Sequence, residues 1–556
     1  MHLVHSDLSL QCLSRKERVA LGAICLCALA LLIALQHGRV FIGDEVGTLR
    51  YLKYSPTHIL THFGAWLSMN YFILVEKGVA WLCGGADWRL TLLPMAAAIA
   101  IIPLTASLAL KFTGSTRTAL IAASLAAFNP YLISYGPVIR SYSLLVAFSL
   151  LAINEFFHWY RQRDWWNGVR CAAVVLLLLL THLNSIYTVA FLILLLLVDT
   201  VSLGWSDGRK FLWESRTLWI PLAGAAVVVG AAYWRLLPDI AKLNREWGTD
   251  TPPTSMGYLP LVFTVYMGTG YAAFLSALLL LAGSWSAVRE KRTLLLLWGA
   301  IILGPVLMSL QGVSVPTGAY ARYLIFSLPL LLIVMAEGIV WLAKHVPMQG
   351  GAAVAAWALA GLIILCWTPY VHAQFVFKKQ WPKQWPYAEV AKFLHEQMQK
   401  NDVIVAGWGI GFTLSQFFDD SKDQIMLPDE YVNKVATQVE TAVPGRVFYV
   451  TGLGLLNGRK AHIQRFGLLE VTMYSGDTQR ALLQEWRDDL LSRTGGRIYP
   501  PFQGDYQLLA LLEERLLSGQ SADHWRSLAD RCRAQNLAGR DFPRHLLKAA
   551  QSFRFP

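Results

Sequence analysis

From residue 19 to residue 370 the chain is a succession of long apolar runs separated by short polar stretches. A hydrocarbon core about 30 Å thick takes about 20 apolar residues per helical crossing. The runs therefore predict crossings at residues 19–36, 89–110, 118–134, 141–158, 170–182, 183–203, 217–236, 258–284, 293–311, 323–343 and 351–370, the fifth being the shortest. The first, Ala20 to Leu35, follows Arg15, Lys16 and Arg18 and lacks a small-residue cleavage site, so it reads as a retained helix and not a removed signal peptide. The fold class expected is a polytopic α-helical membrane protein of about eleven transmembrane helices, followed by a soluble domain outside the membrane.

Two outside segments break the rhythm. Residues 37–88 are too many for a turn, and the amphipathic stretches Ile59–Leu67 and Phe72–Leu82 predict helices lying in the outer interface with their apolar faces toward lipid. Residues 237–257, with Pro238, Pro252 and Pro253, read as a mobile flap. Domain boundaries are expected after residue 370, with a linker at 371–386 whose last part, Lys378 to Pro386, is polar and rich in Trp and Pro. Beyond it, 387–556 reads as a small α/β domain with helical additions. Tyr387–Lys400, Thr478–Arg493 and Tyr506–Leu517 have helical character, and Asp402–Ala406 and Val447–Thr451 read as short buried strands. The run Gly407-Trp408-Gly409-Ile410-Gly411 lacks the spacing of a dinucleotide loop and fits a strand-to-helix turn.

Composition agrees with this pattern: 55% of the 556 residues are apolar and 15% charged, and the mean hydropathy is +0.42. The net charge of +12 changes the picture only through its placement. Arg15, Lys16 and Arg18 precede the first crossing, Lys111 and Arg117 join the second and third, and Arg161, Arg163 and Arg170 join the fourth and fifth. Arg209, Lys210 and Arg216, then Arg289, Lys291 and Arg292, then Lys344 continue the alternation. Short loops rich in Lys and Arg stay in the cytoplasm, so the N-terminus is expected inside and the C-terminal domain outside. Topology and anionic head groups account for the basic excess, and no nucleic-acid partner is expected. The 21 Trp and 21 Tyr fit interfacial belts. Among the seven cysteines only Cys83 and Cys532 fall outside together, and no disulfide is expected between them.

Candidate chemistry lies where ionisable residues meet the membrane. Asp44 and Glu45 open the first outside loop after Gly43, Arg140 and Tyr142 stand at the outer start of the fourth crossing, His182 ends the fifth, and Arg322 and Tyr323 begin the tenth. All are placed at the outer boundary. The adjacent carboxylates offer a general base, a metal ligand or a hydrogen-bond acceptor, or simply open a solvated loop. Guanidinium forks suit phosphate, although either arginine alone also fits snorkelling to head groups. His182 could meet a phosphate, a metal or a helix end, and the residues favour none of these.

The order of several short motifs resembles the glycosyltransferase C superfamily, in particular its protein O-mannosyltransferase and lipid A aminoarabinose transferase branch. The motifs are Gly43-Asp44-Glu45, Trp81 through Arg89 with Pro94, Asn129-Pro130, Tyr135 with Arg140-Ser141-Tyr142-Ser143-Leu144, Thr181-His182, and Tyr320-Ala321-Arg322-Tyr323 with Pro329. One departure is Ser68-Met69-Asn70-Tyr71, where many relatives carry a His-Pro-Pro-like stretch.

The resemblance implies a multi-pass protein of a bacterial inner membrane whose C-terminal domain is periplasmic. It implies transfer of a sugar from polyprenyl phosphate to a lipid, glycan or protein acceptor at the outer face. Asp44 would be the base that takes the acceptor proton, with inversion, and Glu45 would orient substrate. Arg140 and Arg322 would hold the departing phosphate, with Tyr142, His182, Tyr323 and Arg89 completing the substrate-binding set. No cofactor is required, and a divalent cation on Asp44 and Glu45 is left open. A ligase or polymerase of lipid-linked glycans would share these features. A transporter or flippase would place its charged groups near mid-membrane in repeated halves, a pattern the sequence lacks.

Overall fold

A computed structural model describes residues 9–474, apart from 38–40, 42–43, 62–68, 84–86, 203, 237, 239–257, 291–293, 311–317, 346–350, 385, 400–401, 407, 415–416, 419–424, 427–445, 453–461 and 467–468. The flap expected at 237–257, apart from Pro238, the helices at 478–493 and 506–517, and Cys532 lie outside the described residues. The chain divides into two compact units, residues 1–37 with 51–374, and residues 38–50 with 375–556.

The first unit is helical throughout its described length. Its elements begin with α1 (Arg15–Gln36), then the end of α2 (Asp44–Lys53), α3 (Pro56–Thr61) and α4 (Asn70–Leu82). The bundle continues with α5 (Leu92–Thr113), α6 (Thr116–Phe128), α7 (Pro130–Tyr135), α8 (Tyr142–Gln162), α9 (Trp165–Thr181), α10 (Ile186–Ser202), α11 (Gly204–Glu214) and α12 (Arg216–Tyr233). It closes with α13 (Tyr258–Met267), α14 (Gly270–Arg289), α15 (Leu295–Leu310), α16 (Leu328–Lys344) and the start of α17 (Gly351–Gln384).

Among the described residues, seven helices are long and apolar enough to cross a membrane. Shorter apolar helices at 116–128, 165–181, 183–198 and 295–304 occupy the remaining expected crossings. The first helix starts as its sequence dictates, with a capping box in which the Ser14 hydroxyl accepts from Glu17 N–H and the Glu17 carboxylate accepts from Ser14 N–H.

Two expected crossings are broken, each for a local reason. The run at 118–134 splits because Pro130 cannot continue α6. Asn129 turns the chain, its Oδ1 accepting from the N–H groups of Tyr131 (3.0 Å) and Leu132 (3.1 Å) to start α7. The run at 258–284 splits at Gly268 (φ +83°) and Gly270 (φ +56°), left-handed positions that glycine adopts without strain. The carbonyls freed at this break find donors on α17: Trp367 Nε1–H donates to Met267 (3.0 Å) and the Tyr370 hydroxyl to Thr269 (3.0 Å).

Glycine also sets a close helix crossing. A Cβ on Gly338 of α16 would lie 2.0 Å from the Leu279 carbonyl oxygen, and one on Gly283 of α14 would lie 2.0 Å from that of Val334. The two backbones touch, as small residues permit inside a membrane. The buried Glu337 carboxylate fastens a third helix to this pair, accepting from Thr118 of α6 (2.9 Å) and Ser286 of α14 (3.2 Å).

Helix α4 differs from the expectation that its apolar face meets lipid. Phe72 and Ile73 are buried in a cluster with Ile59, Met69 and Leu144, so part of that face packs on protein. Glu76 shares the buried face, is fully enclosed, and neither carboxylate oxygen has a hydrogen-bond partner. Burial pushes its carboxyl up to about 8.

The second unit contains a five-stranded mixed sheet, order β2-β1-β3-β5-β4, from β1 (Val403–Ala406), β2 (Ile425–Met426), β3 (Val447–Gly452), β4 (His462–Phe466) and β5 (Leu469–Tyr474). β1 runs parallel to β2 and β3, whereas β5 is antiparallel to β3 and β4. Helices α18 (Tyr387–Gln397) and α19 (Trp408–Leu414) supply Val390, Leu394, Ile410 and Leu414 to a core with Ile404, Phe448, Val450 and Val471. β1 ends at Ala406 and α19 begins at Trp408, so residues 408–411 of the glycine-rich run lie in the helix that follows the strand. Helix α17 continues through 371–384, most of the stretch read as a linker.

At the edge of this core Asp402 accepts from Arg446 backbone N–H (2.7 Å), Nε (3.1 Å) and Nη2 (2.7 Å), and from Gln399 N–H (2.8 Å). Burial alone would raise its carboxyl; the hydrogen bonds and charge of Arg446 outweigh it and hold the group below the usual range.

Candidate active site

The first unit brings together five of the residues singled out from the sequence, and each arrives from a break between helices. Arg140 ends the tight turn after α7, where its own N–H donates to the Val138 carbonyl (2.7 Å). Tyr142 opens α8. His182 is the C-cap of α9, with an extended backbone (φ −160°, ψ 137°) that ends the helix before the 3₁₀ turn Leu183–Ser185. Arg322 and Tyr323 lie in the 3₁₀ segment Gly318–Ser327 that leads into α16. Helix ends leave backbone groups unsatisfied, which is why polar side chains collect here.

Tyr142 is the hub. Its ring centroid is 5.7 Å from that of His182 and 6.4 Å from that of Tyr323, and the latter two are 6.1 Å apart. The guanidinium of Arg140 stands 6.0 Å from the Tyr142 ring and that of Arg322 stands 5.8 Å from it. Arg322 also lies 5.2 Å from the Tyr323 ring. Arg140, Tyr142 and His182 are buried and Arg322 and Tyr323 half-buried. Two guanidiniums within 6.0 Å of one ring centroid repel each other in a medium of low dielectric, and an anion bound by both would offset that cost.

The histidine is oriented. Asn184 N–H donates to His182 Nδ1 (3.1 Å), so in the neutral ring the proton sits on Nε2. The ring is thereby a donor at Nε2, the polarity an anionic ligand needs.

Tyrosines that the motifs underplayed extend the wall. Tyr135 meets Tyr142 edge-on at 5.3 Å, Tyr131 lies 4.8 Å from Tyr135, and Tyr266 of α13 lies 5.1 Å from Tyr131. The i, i+4 spacing of Tyr131 and Tyr135 was the available signal. Tyr266 had none, because its partners are more than fifty residues away.

Arg89 falls in the 3₁₀ turn Asp87–Thr91, is exposed, and donates from its guanidinium to the Cys83 carbonyl. Asp44 and Glu45 open α2 and belong to the second unit; the Glu45 side chain is buried. Among the described residues no group of three or more His, Cys, Asp and Glu could hold a metal ion.

Two solved structures similar to this chain are of ArnT, a lipid A aminoarabinose transferase, from Cupriavidus metallidurans. The apo structure is 14% identical, with TM-score 0.54 over 81% of this chain and 97% of that one. The structure bound to undecaprenyl phosphate is 13% identical, with TM-score 0.54 over 84% and 99%. Neither a protein-family model nor a curated protein sequence matches the chain.

Proposed function

We propose that this protein is an integral-membrane glycosyltransferase that moves a sugar from a polyprenyl-phosphate donor to a lipid, glycan or protein acceptor at the outer face of a bacterial inner membrane. The observation that carries the reading is that the guanidiniums of Arg140 and Arg322 stand 6.0 Å and 5.8 Å from the one Tyr142 ring, within a GT-C-like fold one of whose neighbours was solved with undecaprenyl phosphate.

In this reaction the acceptor hydroxyl attacks the anomeric carbon, the bond from that carbon to the phosphate oxygen breaks, and the bonding pair leaves with the phosphate. The two arginines hold the charge that grows on the leaving oxygens, and the Nε2–H of His182 and the hydroxyls of Tyr142 and Tyr323 add neutral donors. A phosphate leaves without protonation at neutral pH, so a second carboxylic acid is unnecessary. Asp44 is assigned from the sequence as the base that receives the acceptor proton, with Glu45 orienting substrate and Arg89 on the donor side. A single displacement inverts the anomeric centre.

The test is mass spectrometry of lipid-linked sugars and envelope glycans from cells carrying wild type, Arg140→Ala or Asp44→Asn at matched membrane levels. Accumulation of one polyprenyl-phosphate sugar, with loss of one modification, is expected of both variants. Unchanged profiles in both, while gene deletion changes them, would mean that the protein acts by transport or assembly.

A further inference from the structure

The two arginines come from segments about 180 residues apart in sequence, so something must fix their separation. A line of buried hydrogen bonds does so. Asn129 Oδ1 caps α7, the short helix that leads to Tyr135 and the Arg140 turn. The same amide donates from Nδ2 to the Tyr266 carbonyl (3.0 Å), in the last turn of α13. The Tyr266 hydroxyl then donates to the Ala321 carbonyl (2.7 Å), the residue before Arg322. Asn129 and Tyr266 are fully enclosed and Ala321 is 1% exposed, so water does not compete for these bonds. On the other side the Tyr135 carbonyl accepts from the Val138 N–H (3.2 Å) and the Ser143 hydroxyl (3.1 Å), which pins the turn carrying Arg140 to the start of α8.

From this we infer that Asn129 and Tyr266 are positioning residues, a strut that sets the spacing of Arg140 and Arg322 for one phosphate group. The inference rests on the proposed reading of those arginines as phosphate ligands. The amide at 129 accepts from two N–H groups at Oδ1 and donates to a carbonyl from Nδ2, two atoms far enough apart to reach both helices, which a single hydroxyl oxygen is not. At 266 the ring fills the space beside Tyr131 and the hydroxyl carries the link, so phenylalanine keeps the packing and removes the strut.

The experiment measures binding of undecaprenyl phosphate to the purified full-length chain in nanodiscs, with helix content and melting temperature as fold controls. Tyr266→Phe is expected to weaken binding about five- to tenfold, the loss of one buried hydrogen bond felt at the site. Asn129→Ser, which keeps an acceptor for the cap but is too short to reach Tyr266, is expected to do the same. In an Arg322→Ala background Tyr266→Phe is expected to cost nothing further, since the hydroxyl acts through Arg322. Unchanged binding in Tyr266→Phe and Asn129→Ser, or an equal loss with and without Arg322, overturns the strut while leaving the arginines as ligands. If Arg322→Ala and Arg140→Ala both bind as wild type, the phosphate reading itself fails and the strut with it.

Discussion

Glu76 gives the sharpest quantitative expectation because its surroundings offer the charge nothing. Its carboxyl is raised from 4.5 to about 8 by burial, and both oxygens lack partners. The folded protein therefore holds a proton that the unfolded chain releases above pH 4.5. Protons are bound more by the folded state across that window, so stability falls as pH rises, beginning near 4.5 and levelling above 8. At pH 7 the 2.5 units above the unfolded value correspond to about 3 kcal/mol at 1.36 kcal/mol per unit, and the full window to about 5 kcal/mol. Glutamine at 76 has the same shape and no proton to lose. In Glu76→Gln the stability of α4 should be nearly flat where wild type declines.

Hydrogen–deuterium exchange of the 70–82 helix, corrected for intrinsic rates, reads this directly, since local opening free energies follow the same linkage. Wild type is expected to lose protection steadily from pH 6 to pH 8.5, and Glu76→Gln to retain it. A wild-type α4 that is equally or better protected at pH 8.5, or a glutamine variant less stable than wild type at that pH, would refute the reasoning. Either result would mean that the carboxylate is ionised and bound to a cation in the folded protein.

Three further outcomes follow from other parts of the fold. Gly338→Ala should lower thermal stability in detergent by about 3 kcal/mol or more, because the first added carbon meets the Leu279 carbonyl. Gly361→Ala, whose Cβ meets nothing within 4 Å, should raise stability by about 0.5–1 kcal/mol. Asp402→Asn should destabilise the sheet by about 3 kcal/mol at pH 7, read by exchange at β1 and β3. Because the folded carboxyl is held low, the wild-type advantage exists above the usual carboxylate range and should vanish as pH falls through the folded value. Arg140→Lys should weaken binding of undecaprenyl phosphate about tenfold without affecting folding, since an ammonium cannot give a bidentate contact.

Much of the membrane unit was legible from the sequence because lipid imposes a single strong rule, about twenty apolar residues per crossing. That rule does not see backbone breaks inside an apolar run. The interruptions at Asn129-Pro130 and at Gly268 to Gly270 keep the hydropathy high while ending the helix, so each run read as one span. Glu76 was invisible for the opposite reason. In a helix with hydrophobic residues on most sides, one carboxylate reads as a polar edge, and only packing against Leu144 and its neighbours reveals that its face is enclosed. Strands at 403–406 and 447–452 were legible as short apolar runs, whereas β2, of two residues, and the edge strand β4, with Gln464 and Arg465, carry no such signal.

The candidate site was legible as a set and not as a geometry, and the difference has a physical origin. Charged residues at helix ends stand out because lipid excludes them from helix middles, which is how Arg140, His182 and Arg322 were found. The groups that fix their mutual distances are uncharged and locally unremarkable: an asparagine before a proline, a tyrosine in an apolar helix, a carbonyl of alanine. Their importance is a matter of pairing across 137 and 55 residues of sequence, which no local pattern encodes. Under the proposed transfer reading, a phosphate has to be held most tightly while charge develops on it. Under that reading the arginines are carried on turns, and a buried line of hydrogen bonds through Asn129 and Tyr266 fixes the turns relative to each other.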